Sequence, residues 1–498
     1  MLIGQAQSGK TSLKRSLKGE RFDSKERRTT GIEMHTVYRK VLDIWKEGGK
    51  PQTAEPRPIV DSGEVEKEVH EVFWDFGGQS DHYITHPLFL TARGMYCLVY
   101  NASQDPAETV SEGSNMGYLN TWMFLVSSLL SGDQELKETP ASEMLPGRSM
   151  PPVFLVCTHT DEPYRSVQPE ELAREITGSL QTPLNGKPFF DVFMVNNTKS
   201  GSEQECPEVS RLKKEIVNLA EELPQMKEVI PIKWLNYEKV VVAMVEGGCN
   251  WITFDDSKNI AFDICGISSD EQFLALLNFL HDKRILIYFK DTPKLNTVVI
   301  LNLQWLTGVF RNVLTVPPDE RIERKSINWW RKLKEEGILD KKLLRHVWRP
   351  FFHGRNIWKS LIAIMEKLCL LCPRSSLPKG ALKESYLVPS MVMSPPKEDV
   401  AKLITSTGIP SLFVKFESGQ VLPGLFPRLV LMFFQWCTKE WLWQSEPELH
   451  RNFARFHRYP AEDCSVILLC HSSFIEVAVT MEDNALHPSS ESSHNSFK

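Results

Sequence analysis

Gly4-Gln5-Ala6-Gln7-Ser8-Gly9-Lys10-Thr11 has the spacing of a loop that wraps a polyphosphate. Gly4 and Gly9 let the chain turn so that successive backbone N–H groups face one anion. Lys10 places a point charge between the last two phosphates, and Thr11 offers a hydroxyl to Mg2+. The helix that begins here adds its positive end. The phosphate-binding set is Gly4, Gln5, Ala6, Gln7, Ser8, Gly9, Lys10, Thr11 and Ser12.

A second cluster follows the apolar run Val72-Phe-Trp74, where the chain reads Asp75-Phe-Gly77-Gly78-Gln79. An Asp at the C-terminal end of a strand can hold Mg2+ through water. Gly78 can give a backbone N–H to the terminal phosphate, and Gln79 can orient an attacking water. The third cluster, Thr158-His159-Thr160-Asp161, closes another apolar run. A carboxylate at Asp161 accepts from N1–H and the exocyclic amine of guanine; adenine lacks that donor pair, so Asp161 selects guanine. His159 stands where guanine-binding loops carry Lys, and an imidazole can stack where the Lys stem would pack. Asn197, after the apolar run ending at Val195, is a candidate for the last contact to the base. Between the first two clusters, Arg27-Arg28-Thr29-Thr30-Gly31 offers a hydroxyl to Mg2+ in the triphosphate state. Thr30 is the candidate because it directly precedes Gly31. The catalytic set is then Gln79, Lys10 and Thr30, and the metal set is Thr11, Thr30 and Asp75. Arg93, Arg27 and Arg28 are the candidates for a charge-stabilising arginine.

The elements that must position these residues alternate. Helical patterns at 11–18, 118–130, 170–180 and 209–222 interleave with strand patterns at 37–45, 72–76, 95–101, 153–158 and 189–195. This argues for a doubly wound, mostly parallel α/β domain. Beyond about residue 222 the order changes to helices at 233–245 and 270–281, strand-like pieces at 285–289 and 297–301, and a helix at 303–313. A winged-helix-like unit and a generic α+β domain both fit. From 387 to 480 the chain is β-rich, with strands at 411–416, 466–470 and 474–479 and a helix at 428–436. Residues 483–498 lack apolar periodicity and read as a disordered tail.

The chain has 498 residues and a net charge of −5, which gives no sign of a general nucleic-acid binder, and it has room for two to four domains. Its ten scattered cysteines read as reduced thiols of a cytoplasmic protein. Cys369 and Cys372 form the one C-x-x-C, in a helix-like run at 358–372, and read as buried thiols. No signal peptide opens the chain, and the longest apolar run, 422–437, is broken by Pro427 and Arg428.

The D-x-G-G-Q segment, the following His82-Tyr83, His86-Pro87 and Phe89-Leu90-Thr91, and the T-H-T-D segment resemble the Roc GTPase domain. Leu387-Val-Pro389-Ser390, Leu422-Pro-Gly-Leu-Phe-Pro-Arg428 and Ile300-Leu-Asn302 with Trp305-Leu306 are similar to the COR domain that follows Roc in Roco proteins. The resemblance implies a Ras-like P-loop GTPase domain at 1–204 and a closing helix and linker at 205–228. After these it implies an α+β COR domain, with a winged-helix-like half at 229–380 and a β-rich half at 381–482. It implies a slow, Mg2+-dependent GTPase switch of intracellular signalling, whose GTP or GDP state alters Roc–COR packing or a COR homodimer that meets protein effectors. A nucleotide-binding scaffold with little hydrolysis is the alternative. No kinase motifs follow residue 230. Only Met1, Leu2 and Ile3 precede Gly4 where a whole strand is expected. The chain therefore reads as a fragment, incomplete gene model or short isoform of a longer Roco protein, with leucine-rich repeats among the segments expected upstream.

Overall fold

The computed structural model describes residues 1–26, 29, 32–40, 68–78, 86, 89–91, 93–106, 109–110, 113–132, 151–179, 191–223, 228, 230–315, 322–351, 357–374, 385–396, 399–405, 409–416, 419–422, 424–440, 447–457 and 464–481. Two compact units divide the chain: Met1–Asn312 with Asn356–Ile364, and Val313–Arg355 with Met365–Lys498.

The first unit opens on strand β1 (Leu2–Ile3) and helix α1 (Lys10–Lys18). Strands β2 (Ile32–Lys40), β3 (Glu68–Phe76) and β4 (Tyr96–Asn101), helix α2 (Asn115–Gly132) and strand β5 (Val153–Thr158) follow. Helix α3 (Pro169–Ser179), strand β6 (Asp191–Met194) and helix α4 (Pro207–Glu222) complete the domain. The strands form one sheet in the order β2-β3-β1-β4-β5-β6. All neighbours run parallel except β2, which is antiparallel to β3 from Ile32 opposite Phe76 to Lys40 opposite Glu68. Every residue of β4 and β5 is buried, as expected for strands covered on both faces. Leu13 and Leu17 of α1 and Val209, Leu212, Ile216 and Leu219 of α4 share a core with Val99, Phe154, Val156 and Phe193 of the strands. This is the doubly wound α/β fold expected. The strand expected at 37–45 instead begins at Ile32, because residue-for-residue pairing with β3 carries it back to the loop at Thr29. Residues 41–45 lie outside the described residues.

Next come α5 (Ile232–Glu246), β7 (Trp251–Thr253), α6 (Phe254–Asn259, continuing as a π turn at Ile260–Ile264), α7 (Asp270–Asp282), β8 (Val298–Ile300) and α8 (Leu303–Leu314). The strand expected at 285–289 is not formed. Ile287 makes a lone bridge to Ile300, and β8 pairs with β7, which has no alternating pattern long enough to read. Helix, strand, helix, helix, bridge and strand make this a winged-helix-like unit. Two side-chain caps punctuate it: Thr253 accepts from Asp256 N at 3.0 Å, and Ser269 accepts from Gln272 N at 3.2 Å. Tyr237 is fully buried in its core, with its hydroxyl 2.6 Å from that of Ser257.

The second unit holds α9 (Ile327–Glu336), β9 (Ile338–Asp340), α10 (Lys341–Trp348), the end of α11 (Trp358–Lys367), β10 (Cys372–Pro373) and β11 (Ser385–Leu387). After them come α12 (Val400–Thr405), β12 (Leu412–Lys415), α13 (Leu425–Glu440), β13 (Glu448–His450), β14 (Phe453–His457), β15 (Cys464–Cys470) and β16 (Phe474–Met481). Its larger sheet has the antiparallel order β12-β16-β15-β14-β13, and α13 packs Val430, Leu431 and Phe434 against it. The helix expected across Cys369 ends at Lys367. Cys369 takes a left-handed turn (φ 51°), and Cys372 enters a strand. All ten cysteines are free thiols. No helix among the described residues is long and apolar enough to cross a membrane. The expected tail, 483–498, lies outside the described residues.

Candidate nucleotide site

The loop between β1 and α1 turns through three left-handed or glycine-only conformations: Gly4 (φ 146°), Gln7 (φ 63°) and Gly9 (φ 77°). Gly9 caps α1 with no side-chain hydrogen bond, which leaves the first amides of the helix to an anion. A Cβ on Gly9 would lie 3.0 Å from Thr158 Oγ1, so the position tolerates no larger residue without movement. Lys10 is buried and folds back along the loop, donating from Nζ to Gly4 O (3.0 Å), Gln5 O and Ser8 Oγ (3.4 Å). Burial pushes its pKa down to about 8, because the ammonium loses water that the Asp75 charge only partly replaces.

Asp75 ends β3, next to β1, and is fully buried. Its Oδ2 accepts from Thr11 Oγ1 at 2.8 Å and Thr29 Oγ1 at 3.2 Å, and the two hydroxyls lie 2.8 Å apart. Lys14 Nζ approaches the same oxygen at 3.7 Å. Asp75 Oδ1 is buried without a hydrogen-bond partner among the described residues. Burial pushes the carboxyl's pKa up, against the Thr11 hydrogen bond and the charges of Lys14 and Lys10. The described residues hold no group of three or more His, Cys, Asp or Glu side chains placed to ligate a metal by themselves. Two hydroxyls beside one carboxylate with a bare oxygen therefore fit a hard cation whose other ligands are phosphate oxygens and water. Gly78 presses on the phosphate loop: a Cβ there would collide with Ala6 N and the Gln5 carbonyl. Thr30, Gln79, Arg27 and Arg28 lie outside the described residues. Among the described residues, Thr29, which the sequence reading did not choose, also reaches Asp75.

Thr158, His159 and Asn197 tie the ends of β5 and β6 to the loop. Thr158 Oγ1 donates to Ser8 O at 2.8 Å, with Tyr100 O at 3.2 Å and His159 Nδ1 at 3.0 Å. A Cβ on Gly9 would lie 3.3 Å from His159 Cε1, so the imidazole rests against the loop where a Lys stem was the alternative. Its pKa is lowered by burial, which outweighs Asp161 and Glu162. Asn197 accepts from Ser16 Oγ at 2.9 Å and donates to Gly9 O at 3.5 Å. Asp161 is exposed. Asn101, the last residue of β4, donates to Gln7 O at 3.4 Å. Sequence reading missed Asn101 and Lys14. The available signals were a polar residue closing a buried strand and a second lysine one helical turn after Lys10.

The chain after Gly78 reaches the helical unit. His86 packs its ring edge-on to Phe76 (5.0 Å between centroids) and stacked on Trp122 (5.6 Å). Thr91 Oγ1 donates to Asp282 O at 3.3 Å, Arg284 Nη2 donates to Leu90 O at 3.4 Å, and Arg93 pairs with Glu228 at 2.6 Å.

The family model described as "Ras of Complex, Roc, domain of DAPkinase" matches residues 1–133, and that described as "C-terminal of Roc, COR-A domain" matches residues 231–392. Among curated proteins, "Probable serine/threonine-protein kinase roco5" of Dictyostelium discoideum is 24% identical over 416 residues, which is 78% of this chain and 13% of that protein. "Probable serine/threonine-protein kinase pats1" of the same organism is 22% identical over 404 residues, 79% of this chain and 11% of that protein. The chain thus spans only about an eighth of the length of these relatives. Among solved structures, the GDP-bound RocCORdC of Methanosarcina barkeri Roco2 superposes with a TM-score of 0.51 at 19% identity, covering 78% of this chain and 94% of that one, and so shares the fold. With a Roc domain followed by a COR-A domain on a Roc–COR architecture, this chain belongs to the Roco family.

Proposed function

We propose that the chain is a Mg2+-dependent guanine-nucleotide switch that hydrolyses GTP slowly. The observation that carries this reading is the convergence of Thr11, Thr29 and the bare oxygen of Asp75 beside the buried Lys10. The loop amides and Lys10 hold the β- and γ-phosphates. Thr11, with Thr29 or Thr30, and Asp75 through water would hold Mg2+, which supplies positive charge to the phosphate oxygens when bound. Gly78 lies where its N–H can meet the terminal phosphate. Gln79 orients the water that attacks the γ-phosphorus in line as the bond to the β-oxygen breaks, giving GDP and phosphate. Asp161 reads guanine, with Asn197 and Thr158 fixing the loops around it.

The links from residues 90–93 to Asp282, Arg284 and Glu228 support a switch that acts on Roc–COR packing. Helix α7 begins with Asp270 and Glu271 and offers no basic face, which disfavours nucleic-acid reading by this winged-helix-like unit. Edge strand β12, with Leu412 65% and Phe413 51% exposed, supports the expected homodimer through COR.

Binding and single-turnover hydrolysis of GTP and ATP by the purified chain test the reading. Preference for GTP over ATP and Mg2+-dependent turnover are expected, with turnover lost in Gln79→Leu and affinity lost in Lys10→Ala. Equal use of ATP would overturn it, and GTP binding without turnover would favour the scaffold.

A further inference from the structure

Lys14 is a second buried lysine at the site, one turn along α1 from Lys10, with its side chain 7% exposed. Its ammonium lies 3.3 Å from Glu33 Oε2 and 3.7 Å from Asp75 Oδ2. Glu33 and Asp75 are register partners on the antiparallel pair β2–β3, so two carboxylates stand directly opposite each other. Like charges in that arrangement repel, and here one cation bridges them. That cation occupies the ground where the threonine hydroxyls and Asp75 converge.

We propose that Lys14 is a resident cation that takes over part of the divalent ion's role, so that the chain holds guanine nucleotide with little dependence on Mg2+. The inference rests on the guanine-nucleotide reading above. Two effects of the Lys14 charge act in the same direction. It attracts the phosphates when no metal is bound, and it repels a divalent ion brought to Asp75. Removing it therefore weakens metal-free binding and strengthens the metal's contribution. A purely structural tie predicts the opposite. Without Lys14, Asp75 would be pushed out of place by Glu33, and the metal's contribution would shrink.

The test is the affinity for a fluorescent N-methylanthraniloyl GDP, titrated in Mg2+ and in EDTA. The readout is the dissociation constant in EDTA divided by that in Mg2+. Lys14→Met raises that ratio by about tenfold or more, the size expected of one charge about 10 Å away at an effective dielectric of about 20. Lys14→Arg keeps the wild-type ratio. If Lys14→Met does not fold, Lys14→Met with Glu33→Gln removes the facing carboxylate as well and decides the same question. A ratio that is unchanged or lower in the folded variant overturns the proposal while leaving the nucleotide site standing. A wild-type chain that binds the probe in neither buffer overturns both.

Discussion

The hydroxyl of Thr158 donates to the carbonyl oxygen of Ser8 across 2.8 Å, although 150 residues separate them. This bond, with Asn197 on Gly9 and Asn101 on Gln7, joins the base-side loops to the phosphate loop. One junction of hydrogen bonds thus joins the candidate site's loops at the C-terminal ends of the parallel strands, where open α/β sheets bind ligands.

Thr158→Val keeps the shape of the side chain and removes that donor. The buried Ser8 carbonyl loses a partner, so stability should fall by about 1–3 kcal/mol. Urea unfolding of the two proteins measures it, and an unchanged midpoint would mean that the junction is not held by this bond.

Gly78→Ala puts a methyl group against Ala6 N and the Gln5 carbonyl. The loop must shift to admit it, at a cost of about 1–3 kcal/mol. GDP affinity by fluorescence titration should drop at least severalfold, and full affinity would place Gly78 away from the loop in solution.

Lys10 titrates at about 8 in the folded protein and near 10.5 when unfolded. Between those values the unfolded chain binds more protons, so nucleotide-free protein should gain stability as pH rises from about 8 to 10.5. The burial penalty is present in full below that window and relieved above it, with a ceiling of about 3 kcal/mol. Denaturation at both ends of the window, for wild type against Lys10→Met, isolates the effect. Equal pH slopes in the two proteins would exclude a depressed lysine.

Asp161→Asn replaces the acceptor pair with one acceptor and one donor. Guanine affinity should fall by at least about tenfold, the loss expected when a site built for a hydrogen bond is left unpaired. Competition between GDP and ADP measures it, and retained GDP preference would remove Asp161 from base recognition.

Arg93 and Glu228 form a half-exposed pair, worth no more than about 1 kcal/mol to stability. Arg93→Ala should therefore leave the melting temperature nearly unchanged. If residues 90–93 carry the nucleotide state to the COR-A unit, the same variant should alter the GDP release rate severalfold in stopped-flow fluorescence. An unaltered rate would assign the coupling elsewhere.

Much of this molecule is written in local spacing. G-x-x-x-x-G-K-T dictates a loop that only glycine-rich backbone can follow, and the unbroken apolar runs at β4 and β5 dictate strands buried on both faces. Periodicity likewise marks α1, α4, α5 and α7 to within a few residues. Local pattern could not show that β8 pairs with a three-residue strand at Trp251, because so short a strand gains its identity from its partner. Nor could it show that β2 starts at Ile32, which follows from the ladder with β3.

The types and order of the candidate site residues were thus determined by the sequence alone: a glycine-rich loop with Lys10 and Thr11, an Asp at the end of one strand, and an Asp just after another. Only the tertiary structure decided that Thr29 reaches Asp75, that Asn101 and Thr158 brace the loop, and that Lys14 bridges Glu33 and Asp75. The physical reason is distance along the chain. Spacing within one element sets its geometry, whereas the meeting of residues 18 to 150 positions apart depends on strand order and register, which the packed core selects as a whole.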